Sequence, residues 1–370
     1  MRVVQNERGV ALALSIFALV IIGALVAGAF FMGMQEQRVG LNTIRFQEAF
    51  AAAEEGANLQ IAPWNTGVNN LLATGDSTAF NGTVFGAGGW YRGSIVRLND
   101  QLFYVRSEGF SFDSTARQHV GLLVRLRPFA FDISAALKTQ GNLKIGGSSQ
   151  IDGHDQSPAG WTCGALEPPL PGIAINDSTN ITTVGCTNLS CVDGSVKVDQ
   201  DTTMTTDSLT TFGEMSFDDL KQYATHILAA GTRKIEPSSS GGSCNLADQN
   251  NWGDPLNPGN DCGGHFPVVW VNGDLNINGV QGQGVLIVDG NLDVQGGFDF
   301  FGPVIVRGAL STQGTGGHFN GGVIAANVNL EQNDVLGDAV INFSSCALIK
   351  ALQASAPGGL LQERSWVNLY

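Results

Sequence analysis

Acidic side chains at recurring positions are the first residues here that could do chemistry. Asp274, Asp289, Asp293 and Asp299 recur near the expected corners of a strand-rich segment. Two carboxylates facing each other across a groove would make the acid/base pair of a carbohydrate-active enzyme. The competing reading, which we adopt, is that Asp and Asn at tight turns satisfy local main-chain groups. Asp152-Gly153-His154-Asp155 places two further carboxylates, Asp152 and Asp155, on a glycine turn. Calcium would suit such an oxygen set, although the complete EF-hand pattern is absent. The chain has no G-x-S-x-G, no H-E-x-x-H and no phosphate-binding glycine loop, and its histidines show no zinc-type spacing. The expectation is a protein with no catalytic residues and no cofactor beyond that calcium option.

Thiol chemistry is the other candidate. The cysteines are Cys163, Cys186, Cys191, Cys244, Cys262 and Cys346, none in a C-x-x-C pair. All but Cys346 lie in loop-like sequence, which suits disulfides in an oxidising compartment. Six cysteines allow about fifteen connectivities. We expect Cys186 to pair with Cys191 and Cys244 with Cys262, the latter closing the turn-rich loop 236–267. Cys346 is either paired or a buried thiol.

The elements that would carry these residues follow from periodicity. Val271-Asn272-Gly273-Asp274-Leu275, Val288-Asp289-Gly290-Asn291-Leu292 and Val306-Arg307-Gly308-Ala309-Leu310 repeat one pattern, with a degenerate copy at Ala325–Leu330. The aligned Leu275, Leu292, Leu310 and Val328 recur every 17 or 18 residues. Three faces of about six residues each give that spacing, which is the arithmetic of a parallel β-solenoid; a flatter β-sandwich is the alternative. Gly141–Gly146 and Gly194–Val198 read as earlier coils separated by insertions. Ser216-Phe217-Asp218-Asp219 reads as the start of a helix that stops near Gly231. Upstream, Trp90–Leu98, Gln101–Phe112 and Arg117–Arg127 alternate like three antiparallel strands, with a turn at Asn99-Asp100. Arg92, Arg97, Arg106, Arg117, Arg125 and Arg127 concentrate there. They form either a patch for an acidic neighbour or, as we read them, an ordinary solvated strand face.

Composition sets the outer limits. Of 370 residues 49 are glycine and only 14% are charged, with a formal net charge of −14. High apolar content argues against disorder, and the acidic balance without a basic cluster argues against nucleic acid as a partner.

At the N-terminus no charged residue occurs from Val10 to Gln35. As a helix that run is roughly 39 Å long, enough to cross a hydrocarbon core of about 30 Å. Arg2 and Arg8 precede it, which puts the start of the chain in the cytoplasm and the remainder outside. Residues 36–60 then continue as an amphipathic helix, with no proline before Pro63.

Glu7-Arg8-Gly9 before the apolar run, and Ala49-Phe50-Ala51-Ala52-Ala53-Glu54-Glu55-Gly56-Ala57 after it, resemble the N-terminus of PilX-type minor pilins of type IV pili. The resemblance covers residues 5–60. It implies that a prepilin peptidase cuts between Gly9 and Val10, and that the helix leaves the inner membrane to pack with other pilin subunits in a filament. Leu14, Phe46 and Phe50 are then helix-packing positions. Ordinary pilins carry Glu at the fifth mature position, where this chain has Leu14; that departure points to a minor or tip role. The C-terminal region resembles the β-helical tails of PilX-like and polymer-forming surface proteins.

The expected order is a leader at 1–9, a transmembrane and amphipathic helix at 10–60, a pilin-like antiparallel sheet at 61–130 and a solenoid-like domain with disulfide-bearing insertions at 131–370. The expected class is thus an α+β pilin-like unit followed by a mostly β domain. Its implied place is the inner membrane as a single-pass protein with the C-terminal domain periplasmic or extracellular, then a surface pilus. Its implied role is pilus assembly or adhesion to a glycan or host-surface ligand. A tip pseudopilin of a type II secretion system and a membrane-tethered carbohydrate-active β-helix are the alternatives.

Overall fold

The computed structural model describes residues 8–84, 86, 88–127, 129–213, 215–360 and 366–369. Most of the predicted leader, including Arg2 and Glu7, lies outside them. The first element, α1, runs unbroken from Arg8 to Ile61; it contains the backbone of both Gly9 and Val10. It is long and apolar enough to cross a membrane.

The second half of α1 lies on an antiparallel sheet of β1 (Ser77–Thr83), β2 (Trp90–Arg97), β3 (Leu102–Phe110) and β4 (Arg117–Leu126). At the expected turn, the Asn99 side chain accepts from the main-chain N–H groups of Gln101 and Leu102, both at 2.9 Å. The sheet is larger than the three strands read from sequence. Besides β1, Gly358–Leu360 and Trp366–Leu369 pair antiparallel with β4. The C-terminal residues therefore belong to this head and not to the 131–370 domain, which ends near Pro357.

Between these two contributions to the head sits an all-parallel sheet with seventeen strands among the described residues, in three ladders. The first stacks His226–Arg233, Val268–Ile277, Val285–Val288, Phe298–Val306, Gly317–Ala325, Leu137–Thr139, Ile173–Ile175 and Val198–Gln200. The second contains Leu292–Gln295, Leu310–Gln313, Gln332–Val335, Asn142–Gly146 and Ile181–Val184. The third links Gln281–Gln283 through the Phe298 and Gly317 strands to Val340–Phe343, Gln150–Asp152 and Val192–Asp193. The first strands of the domain in sequence thus stack on its last ones.

Period-two alternation puts every second residue of each ladder inward, into one continuous core of aliphatic and aromatic side chains. The middle of the first ladder is buried on its other side as well. There Phe212, Phe217, Leu209 and Leu220 cover Trp270, Ile287, Ile305 and Ile324, so Val268–Val271, Val285–Val288 and Val304–Val306 read as unbroken apolar runs, whereas Ile227 and Asp199 at the ladder's ends are exposed. The second ladder instead shows an outward polar row of Asn276, Asp293, Ser311, Asp334, Lys144 and Thr182.

Two local expectations are corrected. Leu275, Leu292 and Leu310 are register partners, but Val328 is not the next. Thr312 pairs with Val335, which brings Asn333 beside Leu310, because a longer turn through Asn327 and Leu330, both at positive φ, intervenes. The helix expected from Ser216 is only a 3-10 segment, Asp218–Tyr223, and Gly231 sits inside a strand at a register shift. The Asp219 carboxylate does accept from the Ser216 N–H and hydroxyl, but the chain turns extended at Ala224 and pairs as a strand from His226 onward.

Candidate functional site

The candidate site is α1 and the surface that holds it. Every described side chain from Leu12 to Ile44 is exposed, Leu14 among them, and so is Phe46, whereas Phe50 is half-buried against the head core. Lower down, Ala49, Ala52, Ala53, Gly56 and Ala57 are buried. Their spacing, i, i+3, i+4, i+7 and i+8, is one helix face, and their small size lets main chain meet main chain. A Cβ on Gly109 of β3 would stand 2.2 Å from the Ala49 carbonyl oxygen and 2.2 Å from the Ala53 nitrogen. A Cβ on Gly56 would strike the Tyr91 ring and the Ser107 hydroxyl. The Ala-rich segment that carries the family resemblance is thus the segment that seats the helix, and Gly109, which sequence reading passed over, is its counterpart.

Charge fixes the same junction from outside. Arg45 on α1 pairs with Asp113 in the β3–β4 turn at 2.7 Å. Hydrogen bonds from the Thr115 hydroxyl and N–H hold Asp113 at about 2. On the outer face of the head, Glu108 meets Arg92, Arg117 and His119 at 2.6, 3.0 and 3.0 Å. Burial works to raise the Glu108 carboxyl, but the Arg92 hydrogen bond and the neighbouring positive charges outweigh it and hold the group low. Arg97 is structural: it donates to the carbonyls of Asn70 and Leu72. Arg125 donates to Gln101 and Arg127 to the Leu360 carbonyl. The arginine cluster is thus largely spent within the head.

The acids considered for chemistry are engaged in local bonds. Asp274 accepts from the Asn291 N–H at 2.8 Å, Asp289 pairs with Arg307 at 2.9 Å, Asp293 accepts from Gln295 and Asp299 faces His318 at 3.0 Å. Asp274 and Asp293 share one shallow depression with Asn291; Asp289 and Asp299 lie elsewhere.

Asp152 and Asp155 are likewise committed to different partners. Asp152 accepts from the His154 N–H and Gln156. Asp155, buried, accepts from the N–H and hydroxyl of Ser345 at 2.8 and 2.6 Å and from the Glu167 N–H, which anchors the start of the helix Ser345–Ser355. Among the described residues no group of three or more His, Cys, Asp or Glu side chains is placed to hold a metal ion.

Disulfides join Cys186 to Cys191, Cys244 to Cys262 and Cys163 to Cys346. The last reinforces Asp155 by tying the 153–167 loop to the same helix start. At that helix's other end the buried Asn70 amide donates to the carbonyls of Gln353, Ala354 and Ala356. Asn70 also accepts from the Trp64 indole, and so locks the segment after α1 to the parallel domain. Its sequence context of turn residues gave no sign of this.

No family model matches the chain, and no curated protein matches it. Among solved structures, the crystal structure of the competence-associated pilin ComZ from Thermus thermophilus aligns over 88% of this chain and 98% of that chain, with 12% identity and a TM-score of 0.26. A superposition at that level says nothing further about this chain.

Proposed function

We propose that this chain is a membrane-inserted, non-enzymatic pilin-like subunit of a type IV pilus-like filament. The observation that supports it most is the division of α1. Its apolar half is exposed over its whole described length and requires either lipid or neighbouring helices, while its small-residue half is seated on the head. In this reading a prepilin peptidase removes residues 1–9, the helix passes from the inner membrane into a filament core among other pilin subunits, and Leu14 in place of the usual Glu makes the protein a minor or tip component. The three ladders are read as the faces of a β-solenoid that projects from the filament as a priming or adhesive module, with a glycan or host-surface molecule as its ligand.

The test is mass spectrometry of N-terminal peptides from mechanically sheared surface filaments. A peptide beginning at Val10 in that fraction is expected, and Gly9→Lys should abolish it and leave the protein in the inner membrane. Intact N-termini found only in membranes would instead favour a tethered β-helix.

A further inference from the structure

In the first ladder, Ile173, Leu137, Val323, Val304, Leu286 and Val269 form one inward column, strand upon strand. The next member, in the terminal strand, is His226, only 5% exposed. An aliphatic side chain would complete the column; an imidazole there carries a desolvation cost, and a local rule broken inside a regular stack marks a place where something besides packing is selected.

The surroundings specify the ring's state. His226 Nδ1 lies 3.0 Å from the Thr225 carbonyl oxygen. A carbonyl only accepts, so Nδ1 carries the proton and Nε2 holds a lone pair. That Nε2 is buried with no hydrogen-bond partner, and so is Nε2 of His265. The two ring centroids are 5.8 Å apart, and both rings line one cavity of about 130 Å³ together with Asn65, Thr66, Leu246 and Phe266. His265 is held in place from behind, because the Gln283 amide donates to the carbonyls of Gly263 and His265 at 2.8 and 3.0 Å and the Cys244–Cys262 disulfide closes the loop.

An imidazole whose second nitrogen donates to a carbonyl is the usual presentation of a metal ligand. With a metal–nitrogen distance of about 2.0–2.1 Å, two rings sharing one ion have centroids roughly 5–6 Å apart, depending on the bond angle. We propose that His226 and His265 form a two-imidazole site for a borderline divalent transition-metal ion of the Zn²⁺ type, at the junction of the parallel domain with the segment that follows α1. Imidazole nitrogens select such ions over calcium or magnesium. Water completes the shell. An ion at this point would cross-link the terminal strand to the loop 236–267.

The experiment uses the full-length protein in detergent micelles, stripped with chelator and titrated with Zn²⁺ at pH 7 against a chromophoric competitor. One equivalent at micromolar affinity is expected, and a Co²⁺ derivative should show visible ligand-field absorption. His226→Leu restores the residue type of the column and keeps the stack; it should weaken binding more than tenfold, and His265→Ala should do the same. Exposed imidazoles such as His154 bind equally in all three proteins and define the background. Undiminished binding by folded His226→Leu, checked by circular dichroism, overturns the proposal, as does a wild type that takes up no zinc above the two variants.

Discussion

The head and the parallel domain solve the same problem of burying apolar surface in opposite ways. In the head, one helix meets one sheet through residues chosen for being small, and the contact at Gly109 occurs once. In the parallel domain, large side chains are repeated in columns such as Leu275, Leu292 and Leu310, so each coil is both packer and packed. The difference teaches where each region is vulnerable. The head fails when something is added, because main chain cannot step aside. The leucine column of the ladders fails when something is removed, and only locally, because neighbouring coils still stack.

Four substitutions sharpen that contrast, read region by region with hydrogen–deuterium exchange and thermal unfolding of the full chain in detergent. Gly109→Leu should be the most severe, on the order of 4 kcal/mol, since its side chain must displace the backbone of α1. Exchange should rise across β2, β3 and residues 49–57 while the ladders stay protected. Leu292→Ala, in mid-column, should cost about 3 kcal/mol through the cavity it leaves, with exchange rising in the adjoining strands and the head unaffected. Loss of head protection in that variant would show that the two regions unfold as one unit.

Asn333→Leu tests whether a column simply prefers leucine. Asn333 is 1% exposed; it accepts from the Leu310 N–H at 2.9 Å and donates to the Thr139 hydroxyl. Leucine would match the residue type of the coils beside it yet strand those groups, so a loss of about 2 kcal/mol is expected. A gain in stability would refute the idea that the polar insertion is structurally required.

Glu108→Gln should be the mildest, about 1 kcal/mol or less, because Arg92 and Arg117 are mostly exposed. Its signature is in pH. The folded carboxyl sits below its unfolded value near 4.5, so its contribution is present above that value and is lost as pH falls through the folded one. Wild type and variant melting curves should therefore separate above about pH 4.5 and converge as pH falls below it.

What the sequence disclosed divides along the same line. Leu275, Leu292 and Leu310 announce their column because identical coils leave a period. The period is lost at the next coil, where a longer turn shifts the frame and Asn333 puts a polar residue inside. The small stripe from Ala49 to Ala57 is visible as a helix face, but its partner Gly109 is an unremarkable glycine in a strand until the two are packed. The pairing of Gly358–Leu360 with β4 is non-local and has no pattern to carry it. His226 is conspicuous only after register shows which residues stand above it.

The return of the chain to β4 has a consequence for biogenesis and for load. Gly358 pairs with Leu126, and the Arg127 N–H donates to the Pro357 carbonyl at 3.0 Å, so the parallel domain leaves and re-enters the head side by side. A ribosome therefore releases the closing strands of the head only after the entire inserted domain has been synthesised, and the head has to wait for its own completion. Once closed, a pull on the inserted domain is shared between two adjacent strands anchored in one sheet. A tug at the far end thus bears on paired backbone and not on a single tether.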